Sequence, residues 1–137
     1  MNILQIRGEF SDNGPGTQCL TISTELRKRG HTIIMCSSGG SLKKMIEDLR
    51  FKYYIIPQIS YKNRNFRNVI ISIFKVSRLL KKEKIDIVHG HNAMVVIIAK
   101  LASYLALRRI KTFQSVRGVE PRTSHFYRNW IYKIRFF

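Results

Sequence analysis

Short runs rich in β-branched and aromatic residues recur five times along this chain, with helical periodicity between them. That alternation limits the fold more than any other feature. The strand signals fall at Ile3 to Ile6, Thr32 to Cys36, Tyr53 to Ile56, Ile85 to His89 and Thr112 to Val116. The helical patterns fall at about Gly16 to Arg29, Ser41 to Arg50, Asn65 to Lys84 and Ala93 to Leu107. Strands alternating with helices of this length imply a parallel sheet with right-handed crossovers. The expected architecture is α/β, a Rossmann-like doubly wound sheet of about five strands in the order 3-2-1-4-5. Residues 1–137 form one domain, without an internal repeat or linker.

Each helix carries its own signals. The first places Cys19, Ile22 and Leu26 on one face, gathers Arg27, Lys28 and Arg29 in its last turn and stops at Gly30. The second is expected to start at a serine cap, Ser41, with Leu42, Met45, Ile46 and Leu49 inward. The third aligns Phe66, Val69, Ile70, Ile73, Ser77 and Leu80 in a stripe, with Lys75, Arg78, Lys81 and Lys82 outside it. The fourth is apolar nearly all round and is expected to be packed on several sides. At Ala93 to Leu107 it is interrupted by Lys100 and is shorter than the roughly 20 residues of a membrane span. The tail "SHFYRNWIYKIRFF" looks like a helix cut before its next strand.

Charge restricts the partners. With 25 Lys and Arg against 8 Asp and Glu the formal charge is +17, which points to nucleic acid, an anionic membrane surface or phosphorylated ligands. No helix-turn-helix, RNA-recognition or zinc-finger signature supports nucleic acid, so none is expected. The basic third helix suits an anionic membrane surface. Cys19 and Cys36 lack metal or redox spacing and fit a reduced, cytosolic setting. "MNILQIRG" shows no signal peptide.

Ligands of such sheets bind outside the carboxyl ends of the strands, which singles out the loops after strands one, four and five. In "QIRGEFSDNGPGTQCL" Gly14 and Gly16 fit part of a dinucleotide fingerprint, but Cys19 stands where the third glycine belongs. The second strand ends in "CSSGG" with no acidic residue for a ribose, and no Walker lysine follows. What survives is a glycine loop at a helix N-terminus, where free N–H groups favour an anion at Gly14, Gly16 and Thr17, or a plain turn. In "DIVHGHN" His89 and His91 share a strand face, yet no third ligand is patterned with them and no metal is expected. His89 reads as a core histidine, and His91 and Asn92 as the pair placed to touch a ligand. In "SVRGVEPR" Arg117 and Gly118 follow the last strand, where a guanidinium suits a phosphate.

Taken in order, "MNILQI", the glycine loop, "LRKRGHTIIMCSSGG", "KIDIVHGHN" and "KTFQSVRG" resemble the N-terminal domain of family 4 glycosyltransferases of the GT-B fold, over residues 1 to about 122. The resemblance implies transfer of a sugar from a nucleotide-sugar donor with retention of configuration. It implies a mostly acceptor-side role for this domain and, in many members, lipid-linked or polysaccharide acceptors at the cytoplasmic face of the cell membrane. Carried over by position, Gly14 and Gly16 correspond to the family's glycine loop, and Arg117 and Gly118 to its His-Gly pair. Two departures stand out: Pro15 separates the glycines, and Arg117 replaces a histidine, removing a practical proton carrier.

The expectation is therefore a partial GT-B N-terminal domain, with no assigned catalytic residue and no cofactor of its own. The nucleotide sugar is the donor substrate of the complete enzyme, and a C-terminal GT-B domain in another chain is its expected partner. The alternative is a non-catalytic membrane-surface or scaffold module of the same fold. The glycine loop also carries a specific expectation: Gly16→Val should impair phosphate or acceptor engagement and leave the fold intact.

Overall fold

A computed structural model describes residues 1–115. Five strands, β1 (Asn2–Ile6), β2 (Thr32–Ser37), β3 (Lys52–Ile55), β4 (Ile87–Gly90) and β5 (Lys111–Gln114), form one sheet in the order β3-β2-β1-β4-β5. Every neighbouring pair is parallel. The expected class and strand order are both present.

Helices α1 (Gly14–Lys28) and α2 (Lys43–Asp48) cover one face of the sheet, and α3 (Phe66–Lys82) and α4 (Ala93–Leu105) cover the other. The strands alternate accordingly. Leu4, Ile6, Ile34, Cys36 and Val88 point into the α3–α4 core with Val76, Leu80, Ile98 and Ala102. Ile3, Ile33 and Met35 point the other way, into a core with Cys19, Leu20, Ile46 and Phe51. Strands buried on both faces read as continuous apolar runs, which is why "TIIMCS" lacks a polar alternation.

Local chemistry departs from expectation at three helices. Ser41 does not cap α2: the cap position is Leu42, and the Ser41 hydroxyl accepts instead from the Asp12 backbone N–H at 2.8 Å. On α3 the inward arc is Val69, Ser72, Ile73, Val76, Leu79 and Leu80, while Phe66 and Ile70 face solvent. Ser72 can take a core position because its hydroxyl donates to the Asn68 carbonyl one turn back at 2.7 Å. On α4, Leu101, Tyr104 and Leu105 are exposed, so among the described residues the helix is not packed all round.

Two helix starts match their sequences closely. Asn65 caps α3 by accepting from Asn68 N–H at 2.8 Å, and Asn92 caps α4 by accepting from Val95 N–H at 3.0 Å.

Candidate functional site

The carboxyl ends of β1, β2 and β4 bring three loops together, residues 7–13, 38–42 and 91–92. The first two are zipped to each other by backbone bonds. Ser38 N–H donates to Gly8 O at 3.0 Å, Phe10 N–H to Gly39 O at 2.8 Å, and Leu42 N–H to Phe10 O at 3.0 Å. Phe10, fully buried, anchors the pair. Gly40 has φ +132°, and a Cβ there would lie 2.1 Å from Phe10 O, so only glycine allows this approach. On the other side, an added Cβ at Gly8 would sit 3.3 Å from Asn92 Nδ2, which places the first loop against the third.

Inside this frame the first turn of α1 is largely self-satisfied. Asn13 caps it: its Oδ1 accepts from Gly16 N–H at 2.9 Å, and its backbone carbonyl accepts from Thr17 N–H at 3.0 Å. Pro15 has no N–H to give. The Thr17 hydroxyl is turned back onto the Asn13 carbonyl at 3.1 Å. Among the described residues this leaves the Gly14 N–H as the donor of that turn with no acceptor, a weaker anion cradle than a run of free N–H groups. Arg7, unremarked in the sequence, adds a fixed positive charge: its Nη2 donates to Asn13 Oδ1 at 3.2 Å.

The two glycines of the loop play different parts. A Cβ at Gly14 meets nothing within 4 Å, whereas one at Gly16 would lie 2.1 Å from Ser11 O and 2.9 Å from the Leu42 Cδ1. Gly16 is therefore a packing glycine. The expectation that Gly16→Val spares the fold is corrected on that ground.

Beneath the turn lies a polar network running across the sheet. His89 and His91 do share one face, with ring centroids 4.4 Å apart. His91 Nε2 is 2.9 Å from Gln5 Oε1 and 3.2 Å from Cys19 Sγ, and both Gln5 and Cys19 are fully buried. His89 Nε2 is 2.7 Å from the Ser115 hydroxyl at the end of β5. A half-buried imidazole tied to a buried amide and thiol is a positioned group, held at the loop edge by its own strand and by α1. Gln5 was legible as a polar residue inside "NILQI", paired in register with His89, though nothing in the sequence linked it to Cys19.

Among the described residues no group of three His, Cys, Asp or Glu is arranged to hold a metal ion. Arg117 and Gly118 lie outside the described residues. Lys75 and Lys82 turn toward the β3 side, with Lys75 Nζ donating to Gln58 Oε1 at 3.0 Å and Lys82 Nζ 5.5 Å from the Tyr54 ring centre.

Family-level comparison fits this frame. The model of Glycosyltransferase Family 4 matches residues 12–137. The chain belongs to that family. Three solved structures share its fold. A glycosyltransferase from Rickettsia africae superposes with a TM-score of 0.75 at 21% identity, over 97% of this chain and 34% of its own. The apo form of the lipopolysaccharide outer core galactosyltransferase WaaB gives 0.71 at 16%, over 83% and 32%. Acinetobacter baumannii MurG gives 0.66 at 15%, over 97% and 39%. No curated protein sequence matches the chain. The chain thus spans about a third of the length of these transferases, in agreement with a partial GT-B N-terminal domain.

Proposed function

We propose that this chain is the acceptor-side domain of a glycosyltransferase that moves a sugar from a nucleotide-sugar donor to a lipid-linked or polysaccharide acceptor of the cell envelope, with retention of configuration. The observation that carries the proposal is the convergence, in a family 4 domain, of Arg7, Gly14, His91 and Asn92 at the carboxyl edge of β1 and β4. In this reading His91 and Asn92 face the acceptor, and Arg7 with the Gly14 N–H meets a phosphate group of donor or acceptor. Arg117 and Gly118, outside the described residues, correspond by position to the family's His-Gly pair, and in this reading the Arg117 guanidinium suits a phosphate. The donor is held by a C-terminal GT-B domain carried by another polypeptide or by further sequence. The working place of the complete enzyme is the cytoplasmic face of the cell membrane.

The first turn gives a second reading its support. Because Asn13 already occupies the Gly16 N–H, the anion site is weak for a catalytic cleft, as a non-catalytic scaffold or membrane-surface module would allow. Amide chemical shifts separate the two. Titrating membrane lipid extracts and nucleotide sugars into the labelled chain should perturb residues 8–14 and 91–93 with the acceptor-bearing extract. No perturbation there with any glycolipid or polysaccharide fraction would favour the scaffold.

A further inference from the structure

We propose that the outer face of α3 and α4 is a docking surface for an anionic lipid bilayer. The feature that carries this is an apolar ridge, two of whose residues, Phe66 and Ile70, helical periodicity places in the inward stripe. Phe66, Ile70 and Phe74 lie at i, i+4 and i+8 on α3, and they are 82%, 38% and 52% exposed. Beside α3 on the same side of the sheet, α4 turns out Leu101 and Leu105, 45% and 41% exposed at the same spacing. Large apolar side chains exposed in this way along two neighbouring helices mark an interaction surface.

Charge selects the occupant. Helices α3 and α4 contain no Asp or Glu, and on the helix pitch Arg67, Arg78 and Lys81 border the phenylalanine ridge. Glu83, which follows the last residue of α3, is engaged with Lys52 at 2.7 Å and with the Tyr54 hydroxyl. A surface of aromatic and branched side chains rimmed by long cations matches the acyl boundary and the phosphates of an anionic bilayer, with the basic side chains reaching back to the headgroups. It repels a second copy of a chain with net charge +17. None of the described helices is long and apolar enough to cross a membrane, so the contact is interfacial. Lys75 and Lys82, engaged toward β3, are not part of it; Arg78 and Lys81 are.

The inference extends the reading of this chain as an acceptor-side domain, by bringing the loop edge to lipid-borne substrates. It is tested without donor or acceptor, so that its failure leaves the transferase reading standing. The full chain is floated with phosphatidylcholine vesicles, with and without phosphatidylglycerol, at low and high salt. Binding is expected only with phosphatidylglycerol, weakening as salt rises. Phe66→Ser with Phe74→Ser should lower partitioning about tenfold or more per phenylalanine, and Arg78→Glu with Lys81→Glu should abolish it at moderate salt, all with unchanged circular dichroism. Absence of flotation by the unaltered chain overturns the proposal. So does a ridge variant that floats equally well, or one whose only change is a different oligomeric state in light scattering, which would assign the face to a protein.

Discussion

At the scale of single residues, the two glycines of the β1–α1 loop separate ligand chemistry from turn construction. Gly16 has the Ser11 carbonyl where a Cβ would go, so Gly16→Ala is expected to cost at least about 2 kcal/mol through a forced backbone shift. Gly14, with open space around it, should accept alanine within about 0.5 kcal/mol. Urea titration of the two variants checks this; equal stability of both would show that the loop relaxes freely. If Gly14→Ala keeps stability but weakens phosphate or acceptor binding, Gly14 belongs to the site. His91 is fixed by a different means, through Gln5 and Cys19 at 2.9 and 3.2 Å. That network was invisible in the sequence because its three members come from β1, α1 and the end of β4. No local spacing relates them.

At the scale of elements, the helices show where pattern reading succeeds and where it stops. The strands and four helices fall close to their expected limits, because Asn65, Asn92 and Gly30 mark helix ends by their own chemistry. On α3 the expected stripe holds at Val69, Ile73, Ser77 and Leu80 and fails at Phe66 and Ile70, for a physical reason. The helix carries two apolar arcs, one through Val69, Ile73, Val76 and Leu80 and one through Phe66, Ile70 and Phe74, and periodicity alone does not say which meets the sheet. The first arc is the one that meets the sheet, with Ser72 and Ser77 buried alongside it. The end of α3 is tied to β3 and β1 by Glu83, whose side chain is 10% exposed. It bonds Lys52 and Tyr54, and its backbone carbonyl accepts from Asn2 Nδ2 at 2.8 Å. Burial raises the Glu83 carboxyl, but the hydrogen bonds from Lys52 and Tyr54 outweigh it and hold the group below its ordinary range. A lowered carboxylate stabilises the fold fully above its unfolded value, and that contribution is lost as pH falls through the lowered native value. Glu83→Gln should therefore cost about 1–2 kcal/mol near neutral pH and little in acid. A constant cost across that acid range would contradict the assignment.

At the scale of the whole molecule, handedness did most of the work. Right-handed crossovers and a change of face between β3 and β4 fix the order β3-β2-β1-β4-β5, and with it the loops that meet at one edge. That much followed from the alternation of strand and helix signals. The strength of the anion site did not, because whether an asparagine caps a helix or leaves its N–H groups free depends on the loop's three-dimensional path. The same edge sits near one end of a face that is apolar and cationic, and a cleft completed by a second GT-B domain would bring donor and lipid-borne acceptor together there. The most direct measurement is transfer itself. The chain is co-expressed with a C-terminal GT-B donor domain, such as one encoded beside it, and radiolabelled nucleotide sugars are screened for transfer into membrane lipid extracts. Label should enter the lipid or polysaccharide fraction with one donor only when both polypeptides are present, and Arg7→Ala should reduce it at least tenfold. No incorporation from any donor, with both domains folded and associated, would contradict the account.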